Sequence, residues 1–218
     1  MIVVCGGIKG GSGKTTVAIN LAVIRALDGY DVLLVDADDQ ETATDFTRQR
    51  NERTGDQAGY TSTQLHEDAV RTEVRRFRDK YDDIVIDTGG RDTSSQRAAL
   101  TVADILLVPF IPRSFDVWTL EKVEKLVGLI QTVNPELRAY LFLNRADASG
   151  ADNAEASELL RETAVLTFLD SPLGYRKAFG KVAAQGLAVT ELKPPDSKAT
   201  NEMMALYRNV FGAKALRI

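Results

Sequence analysis

Lys9-Gly10-Gly11-Ser12-Gly13-Lys14-Thr15-Thr16 sits between two segments of different periodicity. Before it, Ile2-Val3-Val4-Cys5 is a short, continuous apolar run closed by glycines, the pattern of a strand buried on both faces. After it, Val17, Leu21, Ile24 and Leu27 recur at helical spacing, and Gly29 stands where a helix over 14–28 would stop. A strand, a glycine-rich turn and a helix in that order set a helix N-terminus beyond the carboxyl end of a strand. Backbone N–H groups converge there on an anion, and glycines keep side chains out of its way. In such a loop Lys14 reaches the β- and γ-phosphates of a nucleotide, the Thr15 hydroxyl reaches Mg²⁺, and Thr16 reaches the α-phosphate.

The same alternation continues outward. Apolar runs at 32–35, 84–86, 105–108, 140–143 and 165–168 read as further strands. Between them helices are expected at 42–53, 64–80, 115–133 and 152–163, then at 174–185 and 199–212 around Lys193-Pro194-Pro195. Gly55 to Ser62 reads as a polar loop or weak strand. Continuous apolar strands alternating with helices imply an α/β fold: one doubly wound, mostly parallel sheet with helices on both faces. No repeat, low-complexity tract or long linker divides the chain, so a single domain over 1–218 is expected.

Composition narrows the function classes. Apolar residues make up 44% of the 218, enough for a sizeable core. Cys5 is the only cysteine and His66 the only histidine, which excludes an intrachain disulfide framework, a zinc ribbon and a cysteine-held cluster within one chain. Cys5 is expected in the core of the first strand and His66 on a helix surface. No stretch has the ~20 apolar residues of a membrane span. The N-terminal apolar run is too short for a signal peptide, and a soluble cytoplasmic chain is expected. The net charge is −4, but it is uneven. From Leu173 onward eight basic residues face three acidic ones, +5, leaving −9 on the first 172. Such asymmetry points to an anionic partner.

The loop departs from the common G-x-x-x-x-G-K-[ST] pattern: Ile8 occupies the first glycine, and a second lysine, Lys9, stands five residues before Lys14. KGGSGKTT matches the deviant form K-G-G-x-G-K-[ST] at every position and resembles the ParA/MinD superfamily of P-loop ATPases. Val35-Asp36-Ala37-Asp38-Asp39-Gln40 resembles the family's D-x-D-P-Q segment, with Asp39 where proline is usual. Ile84-Val85-Ile86-Asp87-Thr88-Gly89-Gly90 resembles the Walker B strand and its switch. Val108-Pro109-Phe110-Ile111-Pro112, Phe142-Leu143-Asn144-Arg145 and Val189 to Ala199 resemble further family segments. With no helix-turn-helix before the loop, the likeness is to the short plasmid partition branch, which also holds relatives that position protein cargo such as carboxysomes.

The resemblance implies ATP and Mg²⁺ as cofactors and an ATP-sandwich homodimer. Lys9 would cross to the phosphates bound by the other subunit, and Lys14 would act within its own site. Gly10, Gly11, Ser12, Gly13, Thr15 and Thr16 would cradle the nucleotide. Asp38 would position the attacking water, with Asp36 supporting the Lys14 region. Thr15 and Asp87 would hold the metal. Gly89 and Gly90 would sense the γ-phosphate, and Asn144, with Arg145, would meet adenine. Nonspecific double-stranded DNA is expected on C-terminal cations: Arg176 and Lys177, bracketed by Tyr175 and Phe179, with Lys181, Lys214 and Arg217. A ParB-like or cargo adaptor would stimulate hydrolysis and release the dimer from the nucleoid.

The expected function is thus ATP-driven DNA segregation or cargo positioning. A MinD-like membrane switch is the alternative, resting on Leu206 to Ile218 as an amphipathic tail that Gly212 interrupts. A metabolic ATP-dependent ligase would need an acceptor pocket that no motif marks. Trp118 and Phe115, on the long helix, are read as core in preference to interface. The Arg-rich stretch 71–80 mixes acids with bases and is read as a solvated face.

Overall fold

The computed structural model describes residues 1–112, 117–147 and 151–212. Eight strands form the sheet: β1 (Ile2–Cys5), β2 (Val32–Ala37), β3 (Thr61–Gln64), β4 (Asp83–Thr88), β5 (Ile105–Phe110), β6 (Arg138–Ala146), β7 (Thr167–Phe168) and β8 (Leu173–Gly174). The helices are α1 (Lys14–Leu27), α2 (Thr42–Thr54), α3 (Asp68–Phe77), α4 (Ser94–Leu100), α5 (Val117–Gln131), α6 (Ala151–Arg161), α7 (Lys177–Ala183) and α8 (Ser197–Phe211).

The strand order is β3-β2-β4-β1-β5-β6-β7, with β8 also on β6, and every pairing is parallel. Because side chains alternate along a strand, β1 sends Val3 and Cys5 into one core and Ile2 and Val4 into the other. The first core is closed by α1, α2, α7 and α8, the second by α3 to α6. This is the doubly wound parallel sheet expected.

Register builds the site. Cys5 pairs with Asp87 on one side and Leu107 on the other, and Asp36 pairs with Asp87. The carboxyl ends of β1, β2 and β4 therefore finish level. Chain order reverses at β1, between β4 and β5, which is where such sheets open a crevice.

Several elements differ from the sequence reading. The Arg-rich helix is shorter than 64–80, because Thr61–Gln64 pairs with β2 as a polar edge strand and His66 lies in the turn between. The stretch to Ser62, read as a polar loop or weak strand, runs into this edge strand, whose mostly exposed polar residues give no apolar run to mark its bounds. The short α4 was not expected; the Thr93 side chain caps it by accepting from Gln96 N–H at 3.1 Å. Trp118, read as core, is 73% exposed, and Phe115 lies outside the described residues.

Two buried arginines join distant parts. Arg50 of α2 forms a bidentate pair with Glu191 and donates to the carbonyls of Ala58 and Gly186. Arg25 of α1 pairs with Asp83 at 2.6 Å and lies between the rings of Tyr30 and Phe211, which ties the end of α8 to the sheet.

Candidate functional site

The glycine-rich loop leaves β1 and enters α1 through Gly13, whose φ of 95° lies in the left-handed region. A Cβ there would also fall 2.2 Å from Asn144 Nδ2, so glycine is required twice over. Lys14 opens α1, and its ammonium turns back to donate to the Lys9 carbonyl at 2.9 Å. The loop thus wraps around its own cation. Burial pulls the Lys14 pKa down, while the carboxylates of Asp87 and Asp38 act against that and favour the charge.

Asp87 is fully buried at the end of β4. Neither of its oxygens has a hydrogen-bond partner of good geometry; the Thr15 hydroxyl is the nearby group that stabilises its charge most. Burial raises its pKa to about 8, with Asp36 and Asp38 adding to the rise and Thr15 and Lys14 opposing it. An orphaned buried carboxylate beside a threonine hydroxyl is a donor set that suits a hard divalent cation such as Mg²⁺. The residues present therefore fit the metal.

Asp36 has a different task from the one expected. One oxygen accepts from the Asp38 N–H, and the other from the N–H and hydroxyl of Thr44. It holds the turn and the start of α2, because its register position aims it at that backbone. Asp38, half-buried, faces the cleft; a Cβ on Gly89 would come within 3.2 Å of its Oδ1.

Gly90 closes the cleft floor. A Cβ on it would lie 2.5 Å from the Gly10 Cα and 2.8 Å from the Gly10 N, so the turn after β4 and the glycine-rich loop meet backbone to backbone. Gln96 supports the same contact from α4: its Oε1 accepts from the Gly7 N–H at 2.8 Å and from Thr88 Oγ1 at 3.1 Å. Sequence reasoning missed Gln96, since a buried glutamine on a short helix has no motif.

Beside these groups opens a cleft of about 730 Å³, lined by Gly10, Gly11, Gly13 and Lys14 to Thr16 of the loop, by Asp38, Gly89 and Gly90, and by two arginines, Arg91 and Arg145. Arg91 was not singled out, although its place directly after Gly90 could have signalled it. Arg145 is exposed, with φ at 54°.

Other expected residues fall differently. Asn144 Nδ2 donates to the Ser12 carbonyl at 2.6 Å and its Oδ1 accepts from the Arg145 N–H at 2.9 Å. Both edges of the amide expected to meet adenine are engaged by backbone, so here Asn144 seats the loop. Arg176 is held by both oxygens of Glu202, which also accepts from Gly174 N–H. Its charge is neutralised locally, which removes it from a free cationic face. Lys177 and Lys181 are exposed on α7, and Lys181 shares a depression of about 420 Å³ with Arg53 and Lys193. Arg53 carried no sequence signal because it belongs to the acidic part of the chain. Lys214 and Arg217 lie outside the described residues. His66, on the cleft side of the sheet, stands 3.5 Å from Asp39.

Residues 2–189 match the CobQ/CobB/MinD/ParA nucleotide binding domain. The chain is 33% identical over 213 residues to maintenance of carboxysome distribution protein A of Gloeobacter kilaueensis, covering 93% of this chain and 88% of that protein. Its fold resembles apo McdA of Cyanothece, with a TM-score of 0.75 at 20% identity over 94% of this chain and 98% of that one. It resembles equally a putative plasmid partition protein of Borrelia burgdorferi B31 bound to AMPPNP, with a TM-score of 0.73 at 20% identity over 95% and 98%. The match over residues 2–189, which span the whole sheet, together with the 33% identity to a relative covered to 88%, shows that the chain belongs to the CobQ/CobB/MinD/ParA nucleotide-binding family.

Proposed function

We propose that this chain is a Mg²⁺-dependent ATPase that works as a positioning switch, binding DNA as an ATP-sandwich dimer and distributing a protein cargo. The observation that carries the reading is the cleft itself, in which Lys14, Thr15, Asp38 and the glycines of the Gly90–Gly10 contact share one opening, with Asp87 buried behind it beside Thr15.

Hydrolysis moves a phosphoryl group to water, and charge builds on the phosphate oxygens as it does so. Lys14 is placed to leave the Lys9 carbonyl and meet those oxygens, exchanging one acceptor for a stronger one. Lys9 of a second subunit adds a cation from across the interface, linking dimerisation to bound nucleotide. Asp38 accepts a hydrogen bond from the attacking water and orients it. Thr15 and Asp87 would hold Mg²⁺, which when bound would supply positive charge against the charge building on the phosphate oxygens.

DNA binding needs only cations on one face; Lys181, Lys193 and Arg53 share one depression, Lys177 is exposed one turn before Lys181 on α7, and the sequence adds Lys214 and Arg217. Pairing two subunits doubles the face. The 33% identity to a carboxysome distribution protein favours a protein cargo. The plasmid reading keeps the support of an equally similar fold, so cargo class rests on sequence alone.

Retention of a plasmid is measured with ATP, ADP and no nucleotide, beside phosphate release by wild type, Lys14→Ala and Asp38→Ala. Wild type is expected to hold DNA with ATP only. Lys14→Ala should lose nucleotide, and Asp38→Ala should keep ATP and stay on DNA. A mixture of Lys9→Ala and Asp38→Ala chains tests action across the interface. Equal DNA retention in all three nucleotide states would overturn the switch. ATP-dependent recruitment to anionic liposomes without DNA binding would replace it with the membrane reading.

A further inference from the structure

A second opening of about 450 Å³ lies on the other side of the switch from the nucleotide cleft. Its floor is apolar, made by Ile8 below the phosphate loop and by Leu126 and Leu129 of α5. Its rim is cationic, made by Arg91, Lys122 and Lys125, with Arg97 beyond them. Among the described residues the one carboxylate on the rim, Asp92, is already held by Arg97 through two hydrogen bonds. Along α5, Trp118, Lys122, Lys125 and Leu129 follow helical spacing and share a face, and both Trp118 and Leu129 are more than half exposed.

We propose that this groove docks an acidic amphipathic segment of a partner protein and that the contact acts on the switch through Arg91, which lines both the groove and the nucleotide cleft.

Charge complementarity selects the occupant. A second copy would bring the same lysines and arginines against this rim, and like charges facing each other oppose that contact. DNA would use the rim, but its phosphates gain nothing from Ile8, Leu126 and Leu129. A segment with apolar side chains at helical spacing and Asp or Glu between them satisfies both, seating its apolar stripe on the floor and its carboxylates against Lys122, Lys125 and Arg91.

The groove is joined to the chemistry by two short links. Arg91 follows Gly90, which rests on Gly10, so a carboxylate that draws Arg91 toward the groove withdraws its charge from the cleft. Arg97 follows Gln96, which holds the Gly7 N–H and Thr88, so movement of α4 reaches the base of the loop. The segment therefore changes turnover as well as binding. This inference rests on the nucleotide-switch reading above and adds to it the face and chemistry of the partner.

The probe is a labelled synthetic helix of about 15 residues, roughly four turns, with leucines at helical spacing and glutamates between them. Its controls are the same peptide with lysine for glutamate, the same with serine for leucine, and a short double-stranded DNA. Binding to the full chain with ATP is read by fluorescence anisotropy, with phosphate release and labelled-nucleotide affinity in parallel. The acidic amphipathic peptide should bind about tenfold more tightly than either peptide control, a free-energy scale within reach of a few charge and apolar contacts. It should also alter the hydrolysis rate. Lys122→Glu with Lys125→Glu, and separately Leu129→Ser, should each weaken it about tenfold and leave nucleotide affinity unchanged. Circular dichroism and nucleotide affinity establish that these surface variants fold. Equal binding of the lysine peptide, insensitivity to Leu129→Ser, or binding without any change in turnover overturns the proposal. DNA competing for the site regardless of Leu129 overturns it in favour of a nucleic-acid face. Loss of nucleotide binding by wild type would instead strike the switch reading beneath it.

Discussion

Removing the buried negative charge at Asp87 should stabilise the nucleotide-free protein while disabling it. The carboxyl group is fully buried with neither oxygen well hydrogen-bonded, and its pKa is raised from 3.8 to about 8. The native state therefore holds a proton over a pH range in which the unfolded chain has released it. Stability from this group is full below about pH 4 and is lost as pH rises toward about 8. A rise of about four units, at about 1.4 kcal/mol each, sets an upper limit on the order of 5 kcal/mol. Asp87→Asn removes the charge but leaves an amide N–H short of acceptors, a cost of about 1–3 kcal/mol. The net expectation at pH 8 without nucleotide or metal is a gain of about 2–4 kcal/mol, or roughly 5–15 °C in Tm for a chain of this size. The assay is urea and thermal unfolding of both proteins in EDTA across a pH series. Wild type should fall away from the variant as pH rises, and only wild type should gain stability from Mg²⁺ with ATP. Parallel pH curves, or a less stable variant at pH 8, would refute the reasoning.

Three further outcomes follow from the geometry. Gly90→Ala should preserve the fold yet reduce hydrolysis about tenfold or more, because its Cβ meets the Gly10 backbone at 2.5 Å; phosphate release beside circular dichroism checks this. Arg50→Ala should cost about 2–3 kcal/mol of stability by leaving half-buried Glu191 and the Ala58 and Gly186 carbonyls without their donor, and urea unfolding would show it. Arg176→Ala should leave the salt dependence of DNA retention nearly unchanged, since Glu202 already neutralises that charge, whereas Lys177→Ala with Lys181→Ala should lower the log–log salt slope by about 1.8.

The alternation of apolar runs with helical spacing made the parallel sheet legible, because a strand buried on both faces carries a continuous apolar run, as β1 and β5 do along their length and β2 and β4 do ahead of the acids at their carboxyl ends. The loop from Lys9 to Thr16 was equally legible, since a phosphate cradle demands glycines and a lysine at fixed separations along the chain. These are local demands, met by neighbours in sequence. What the sequence withheld depends on separations through space. Asn144 resembled a base-contacting residue until the fold brought it under Gly13, and Arg176 resembled a free cation until α8 carried Glu202 to it. Asp36 and Asp38 have the same chemistry two positions apart; only strand register sends one to Thr44 and leaves the other facing the cleft. Arg53 and Lys181 join one depression because the turn after α7 lies against α2, with Gly186 beside the Arg50 backbone and its carbonyl accepting from Arg50. A side chain's reach and spacing are written in the chain, but its partner is whatever the packing of the sheet places within about 3 Å, and that is decided only when distant segments meet.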